Sequence, residues 1–304
     1  MEQYMADYYC YYRMKHISTI ILICSWSIFA LGQKTSSLKV WEDSMVTIAP
    51  TILNGETDSV RYAAHAHFIA ILSAALKKEG SFKYPFEQLK TIAKLSPSDR
   101  SFRIFNWNLP RDDGTYEYFG IIQRYNKQYK NYQVFVLVDG SANIGKGDQK
   151  VLSGKTWYGA HYYSMVEMKK KRSKYYLLLG WDGNDRMSNK KIIDVLSFGK
   201  AGQPVFGKAV LGTPLGFKNR LVFEYHERAS MSVQFKLEYK MIVYDHLSGN
   251  TEAVSGQAAF HGPDGSYDGL RYKRGKWHYV KDIDARNPKG RKKDKYNDPK
   301  KIVK

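Results

Sequence analysis

Two short runs of the chain concentrate the residue types that acid–base or metal chemistry uses. One is Trp181-Asp182-Gly183-Asn184-Asp185-Arg186-Met187-Ser188-Asn189-Lys190; the other is His261-Gly262-Pro263-Asp264-Gly265-Ser266-Tyr267-Asp268-Gly269. In the first, Asp182 and Asn184 occupy the opening ligand positions of a calcium-type loop, but Arg186 takes the next one and Ile193 stands where the closing carboxylate belongs. That excludes a regular calcium loop, and no metal site is assigned. Asp and Asn in a tight connection between strands bond their own backbone, which is the favoured reading of this run. In the second run an imidazole, two carboxylates, a hydroxyl and a phenol lie close together, and Asp264 and Asp268 converging across a cleft would form a general acid and base. Its three glycines and one proline equally make it a turn-rich connection, the reading preferred here.

Other pairings are weaker. Asp245 and His246 are neighbours on a strand and face opposite ways. His65 and His67 stand two apart on a helix and share no face, so one packs in the core and the other points away. The sequence holds no Gly-x-Ser-x-Gly elbow, no phosphate-binding loop ending in Lys-Ser/Thr, no His-Glu-x-x-His and no paired-Cys spacing. A glycan-active enzyme built on two distant carboxylates leaves no such local mark. The candidate catalytic set is therefore Asp182, Asp185, His261, Asp264 and Asp268. The candidate ligand contacts are Trp181, Asn184, Tyr267 and Trp277, with Trp107 and Trp157 as further tryptophans, and no cofactor is expected.

The elements that would position these residues follow from periodicity. Between Ser59 and Lys78, Val60, Ala63, Ala64, Phe68, Ile71 and Ala75 mark one helical face, with Thr57 or Asp58 as cap and Gly80 as stop. Further helices are expected over Val40–Leu53 and Phe86–Leu95. From Ser101 the pattern becomes strand-like: Ser101–Leu109, Thr115–Tyr125, Tyr132–Val138, Tyr162–Lys169, Tyr175–Trp181, Lys191–Phe198, Val205–Leu211, Arg220–Glu227, Met231–Leu237, Met241–Asp245, Ser255–His261, Gly269–Arg274 and Lys276–Asp282. Short Gly, Asn, Asp and Ser turns join them, so successive strands pair antiparallel. The expected fold is α+β, with N-terminal helices (33–99) followed by a large antiparallel β meander (100–288), a curved sheet or partly closed barrel, packed together as one domain. The 24 tyrosines agree with sheet.

Upstream, Ile17–Leu31 is apolar behind Arg13 and Lys15 and ends in Ala30-Leu31-Gly32, the order of an export leader cleaved after Gly32. A helix of ~15 residues spans only ~22 Å, too short for a bilayer core of ~30 Å. Residues 1–13 read as an upstream extension, with Met14 as the expected start. Cys10 and Cys24 precede the cut, and bulky Ile23 before Cys24 argues against a lipid anchor, so the mature chain has no thiol for a disulfide or metal. The formal charge is +19. Part of it lies in Lys169–Arg172 with Lys174, read as a hairpin turn, and part in 289–304, where eight Lys and Arg face two Asp in a segment expected to be a disordered basic tail. For an exported protein, such charge points to an anionic envelope component rather than to nucleic acid.

The runs Leu178–Asp185, Ser188–Leu196, Met241–Ser248 and Gly262–Gly269 resemble those of an uncharacterised group of exported Bacteroidota proteins, over most of the chain from about Ser101 to Arg286. Gln33 directly after the cut fits that source. The resemblance implies export and a single β-rich body, and it assigns no catalytic residue. The resulting expectation is a non-catalytic periplasmic or cell-surface protein that binds through aromatic and basic side chains. The alternative is a hydrolase of an envelope glycan or other polymer.

Overall fold

The computed structural model describes residues 38–126, 130–145, 147–168, 175–248 and 261–284. Within these the fold is α+β, with helices first and antiparallel strands after. The expected leader, the lysine cluster at 169–172, most of the strand expected at Ser255–His261 and the basic tail lie outside the described residues.

Helix α1 covers 38–54, and α2 spans Asp58–Lys77. Thr57 caps α2 by accepting from the Val60 amide, Asp58 and Lys77 sit at the ends the helix dipole favours, and Gly80 turns the chain away at φ 81°. Arg61 reaches from α2 to Asp58, Asp112 and the Gly55 carbonyl, tying the helix to the first hairpin turn.

The helix expected over Phe86–Leu95 is absent. Phe86, Leu89 and Ile92 are all buried, which mimics a helical period, but Phe86 sits at φ 52° and only β1 (Ala93–Leu95) is regular. The Lys94 ammonium bonds the Phe86 and Leu89 carbonyls that a helix would have paired internally.

The strands form three sheets rather than one, and no barrel closes. The first runs β1, β2 (Phe102–Pro110), β3 (Tyr116–Asn126), β4 (Asn131–Val138). The second runs β5 (Leu152–Ser153), β9 (Pro204–Phe206), β8 (Ser188–Phe198), β7 (Tyr175–Asp182), β6 (His161–Met168), with β12 (Leu221–His226) also paired to β8. The third runs β11 (Gly216–Lys218), β10 (Leu211–Thr213), β16 (Lys276–Val280), β15 (Gly262–Lys273), β14 (Met241–Ser248), β13 (Val233–Lys236). Among the described residues the strands pair antiparallel except at a parallel match of Leu211 with Trp277, and an isolated parallel bridge joins Asp139 to Trp157.

Three apolar clusters stack the layers. Met45, Phe68 and Leu72 of the helices meet Phe105, Trp107, Leu109 and Ile121 of the first sheet. The opposite face of β2, with Phe102 and Ile104, meets Tyr176, Leu178, Ile192 and Leu196 of the second sheet. Leu177, Leu179, Ile193 and Val195 then meet Ile242, Tyr244, Leu270 and Trp277 of the third. The second sheet is thus covered on both faces, so β7 reads as the unbroken apolar run Tyr175–Leu179 rather than an alternation. Where β6 slips register after Tyr162, the buried Asn106 side chain accepts the Tyr162 amide at 2.7 Å and donates to its carbonyl at 3.3 Å, replacing the lost ladder partner.

The inter-sheet cleft as candidate functional site

The Asp182–Ser188 connection is a self-bonded turn. Asp182, buried, accepts the Tyr118 hydroxyl at 2.9 Å and the Asn184 amide at 2.7 Å, while Asp185 accepts the Met187 and Ser188 amides. Burial pushes the Asp182 carboxyl upward, and these two donors work against that shift. Asn184 takes φ 46° here, a conformation Asn tolerates. Its side-chain nitrogen Nδ2 donates to Ser188 Oγ at 2.7 Å, and Ser188 Oγ donates onward to Glu224 Oε1 at 2.6 Å. Lys190, directly opposite Glu224 across β8 and β12, donates to the Asn184 side-chain oxygen. The turn therefore leads into a charged pair on the second sheet.

The third sheet presents a second polar group. Tyr244 pairs with Asp268 across β14 and β15, and His246 falls at the break in register between Asp245 and Leu247. His246 Nδ1 stands 2.7 Å from Asp268 Oδ2, which also accepts the Tyr279 hydroxyl at 2.9 Å, while Oδ1 accepts the Asp282 amide. A carboxylate only accepts, so Nδ1 carries a proton, and in the neutral ring the lone pair is then on Nε2. Burial and the bond to Asp268 push the Tyr279 phenol up to about 12, which keeps it a donor at neutral pH.

The two groups line one cleft of about 750 Å³, within the ~300–1,000 Å³ typical of small-molecule sites. Lys190, Arg220 and Glu224 line it from the second sheet, and Tyr244, His246, Asp268 and Tyr279 from the third. Gly145, Gly147, Asp148 and Tyr158 contribute the loop side. Burial, with the fields of Asp182 and Glu224, raises the Tyr158 phenol. Two of the cleft's basic groups are ion-paired, Lys218 with Asp148 at 2.7 Å and Arg220 with Asp194 at 2.9 Å.

Of the residues singled out by sequence, Asp268 lines this cleft and Asn184 reaches its wall through Lys190 and Ser188. The others go elsewhere. Asp185 and Asp264 are exposed, and Asp264 accepts the Ser266 amide and hydroxyl in a turn of its own. That turn is a three-residue break in register inside a continuous β15 rather than a separate loop. His261 is buried beside β12, its carbonyl accepting the His226 amide. Trp277, expected as a ligand contact, is 1% exposed in the core between the second and third sheets; Trp107 and Trp157 are likewise enclosed. Trp181 packs edge-on against Tyr116, and Tyr267 lies on the outer part of β15 beside Asp245. His65 is buried against Trp107 and His67 exposed, as helical spacing requires.

Glu224 and Tyr158 were not marked by sequence; Lys190 entered only as the end of the first polar run, and His246 only as a discounted partner of Asp245. Asp268 had drawn attention, but its true partner His246 lies 22 positions away, and only the β14–β15 register joins them. Among the described residues no group of three or more His, Cys, Asp or Glu side chains is arranged to hold a metal ion, and no helix is long and apolar enough to cross a membrane. No family model, curated protein or solved structure matches this chain.

Proposed function

We propose that this chain is an exported cell-envelope protein that takes an uncharged, hydroxyl-rich ligand, an oligosaccharide, into the cleft between its second and third sheets. The observation that carries the reading is the matched charge of the cleft. In a chain of formal charge +19, the cleft-lining Lys190 and Lys218 face Asp148, Glu224, Asp245 and Asp268, and Arg220 is unexposed and paired with Asp194, so positive charge is not gathered there. A polyanion would meet no surplus of cations, whereas hydroxyl groups find both donors and acceptors. Phe223 adds apolar ring surface, and Tyr158, Tyr244 and Tyr279 add rings with polar tips, which suits a sugar's alternating faces.

Export rests on the leader expected at Met14–Gly32 and on the resemblance to exported Bacteroidota proteins. The basic residues outside the cleft support a separate, salt-sensitive association with an anionic envelope surface. Calorimetric titration of the chain with neutral oligosaccharides and with an anionic polysaccharide, at low and high salt, tests the binding reading. Neutral oligosaccharides are expected to bind with little salt dependence and to bind at least ~10-fold more weakly to Glu224→Ala, which loses a charged acceptor. Binding confined to the anionic polymer and abolished by salt would contradict it.

A further inference from the structure

We infer that the cleft also hydrolyses carboxylic esters, with His246 as general base and Asp268 as its positioning residue. The inference rests on the cleft being the ligand site and names the reaction performed there. Asp268 is 4% exposed and fixed by three donors, from β14, from β16 and from the turn after β16. It therefore holds one edge of the His246 ring, while the ring itself lines the cleft and its side chain keeps 36% exposure. Among the described residues nothing hydrogen-bonds Nε2.

An imidazole oriented in this way suits proton transfer from water. Nε2 takes a proton from a water molecule as the water oxygen bonds to the acyl carbon. The carbonyl electron pair moves onto oxygen, where the cleft offers Lys190 and the Tyr158 hydroxyl as donors. As the carbonyl re-forms, the carbon–oxygen bond to the alcohol breaks and the imidazolium returns its proton to the departing oxygen. Ester and water give acid and alcohol, with no other reactant. Glycosidic cleavage fits less well, because it needs a carboxylic acid able to give a proton, and the cleft carboxylates are held as acceptors: Asp268 by Tyr279, Glu224 by Ser188, Asp148 by Lys218 and Asp245 by the Ser232 amide. The substrate class is thus an O-acylated sugar.

The test is acetate release from O-acetylated xylo-oligosaccharides and from p-nitrophenyl acetate, with binding of the oligosaccharides followed in parallel. The unaltered chain is expected to release acetate, more slowly in D2O than in H2O. His246→Gln is expected to lose at least ~100-fold in rate while keeping its affinity within about threefold. Asp268→Asn, which leaves the imidazole without its anionic partner, should lose rate and flatten the pH profile. Oligosaccharide binding without acetate release, or undiminished release by His246→Gln, overturns the esterase and leaves the binding reading intact. Absence of binding defeats both. Should either variant fail to fold, a rate for the unaltered chain that is equal in H2O and D2O overturns the general-base role.

Discussion

Asp194 on β8 and Arg220, one residue before β12, form an ion pair of 2.9 Å in which neither side chain has any solvent exposure. Asp194 also accepts the Tyr162 hydroxyl and the Val195 amide, and Arg220 donates to the Gly147 carbonyl at 2.8 Å. Burial opposes the charge on Arg220, yet Asp194 outweighs it and holds the guanidinium above its usual range. Because Arg220 lines the cleft, this pair fixes the cleft wall to the middle sheet and to the loop at Gly147.

Removing one member strands the other. Asp194→Ala and Arg220→Ala should each cost about 3–5 kcal/mol, since an uncompensated buried charge is left behind. The double variant should cost clearly less than both single losses together. A double-mutant cycle by urea unfolding measures this; additive losses would mean the pair is not coupled.

His65 sets part of the acid limb of stability. Burial lowers its imidazole from 6.5 to about 4, and its Nδ1 accepts the Trp107 indole N–H at 3.3 Å, a bond only the neutral ring can make. The folded pKa lies below the unfolded one, so the unfolded chain binds the extra proton first. Stability from this group is full above about 6.5 and is lost as pH falls toward about 4. Unfolding midpoints of His65→Gln against pH should show a shallower decline across that window than the unaltered chain.

Gly212 is a close-approach position. A Cβ there would lie 2.7 Å from the Trp277 carbonyl oxygen and 2.8 Å from the Tyr279 amide nitrogen, both backbone atoms. Gly212→Ala should therefore part β10 from β16 and cost about 1–3 kcal/mol. Because Gly212 and Tyr279 both line the cleft, ligand affinity should fall with it, as calorimetry beside thermal unfolding would show.

Asp182 and Asp185 separate structural from catalytic carboxylates. Asp182→Ala strands the Tyr118 hydroxyl and the Asn184 amide, with an expected loss of about 1–3 kcal/mol. Asp185→Ala removes the acceptor of two exposed-turn amides and should cost about 1 kcal/mol. Neither should abolish turnover at a temperature where the variant is folded. Loss of activity in folded Asp185→Ala would restore the first polar run as the reactive centre.

Local signals in the sequence carried much of this architecture. Thr57, Asp58 and Gly80 bound α2, and the Asp113-Gly114 step, with Gly114 at φ 87°, closes the β2–β3 hairpin. What periodicity lacks is the assignment of strands to sheets. Alternation states that β2 has two faces, not that one meets helices and the other a second sheet. The segment 86–95 misled because buried residues three apart arise in a turn pinned by Lys94 as readily as in a helix. The site suffered most, since Asp245 and His246 are adjacent in sequence yet the bond runs to Asp268. Clusters of polar residues drew attention to turns, where Asp and Asn mostly serve the backbone, while the cleft is assembled from residues on seven strands and the loops around Gly147 and Tyr158.

A crystal structure of the chain grown with a saturating neutral oligosaccharide tests the central claim most directly. The sugar is expected between the Lys190–Glu224 pair on one wall and the His246–Tyr279 group on the other, stacked near Tyr158. A ligand seated elsewhere, or an empty cleft at a concentration where calorimetry records binding, would contradict it.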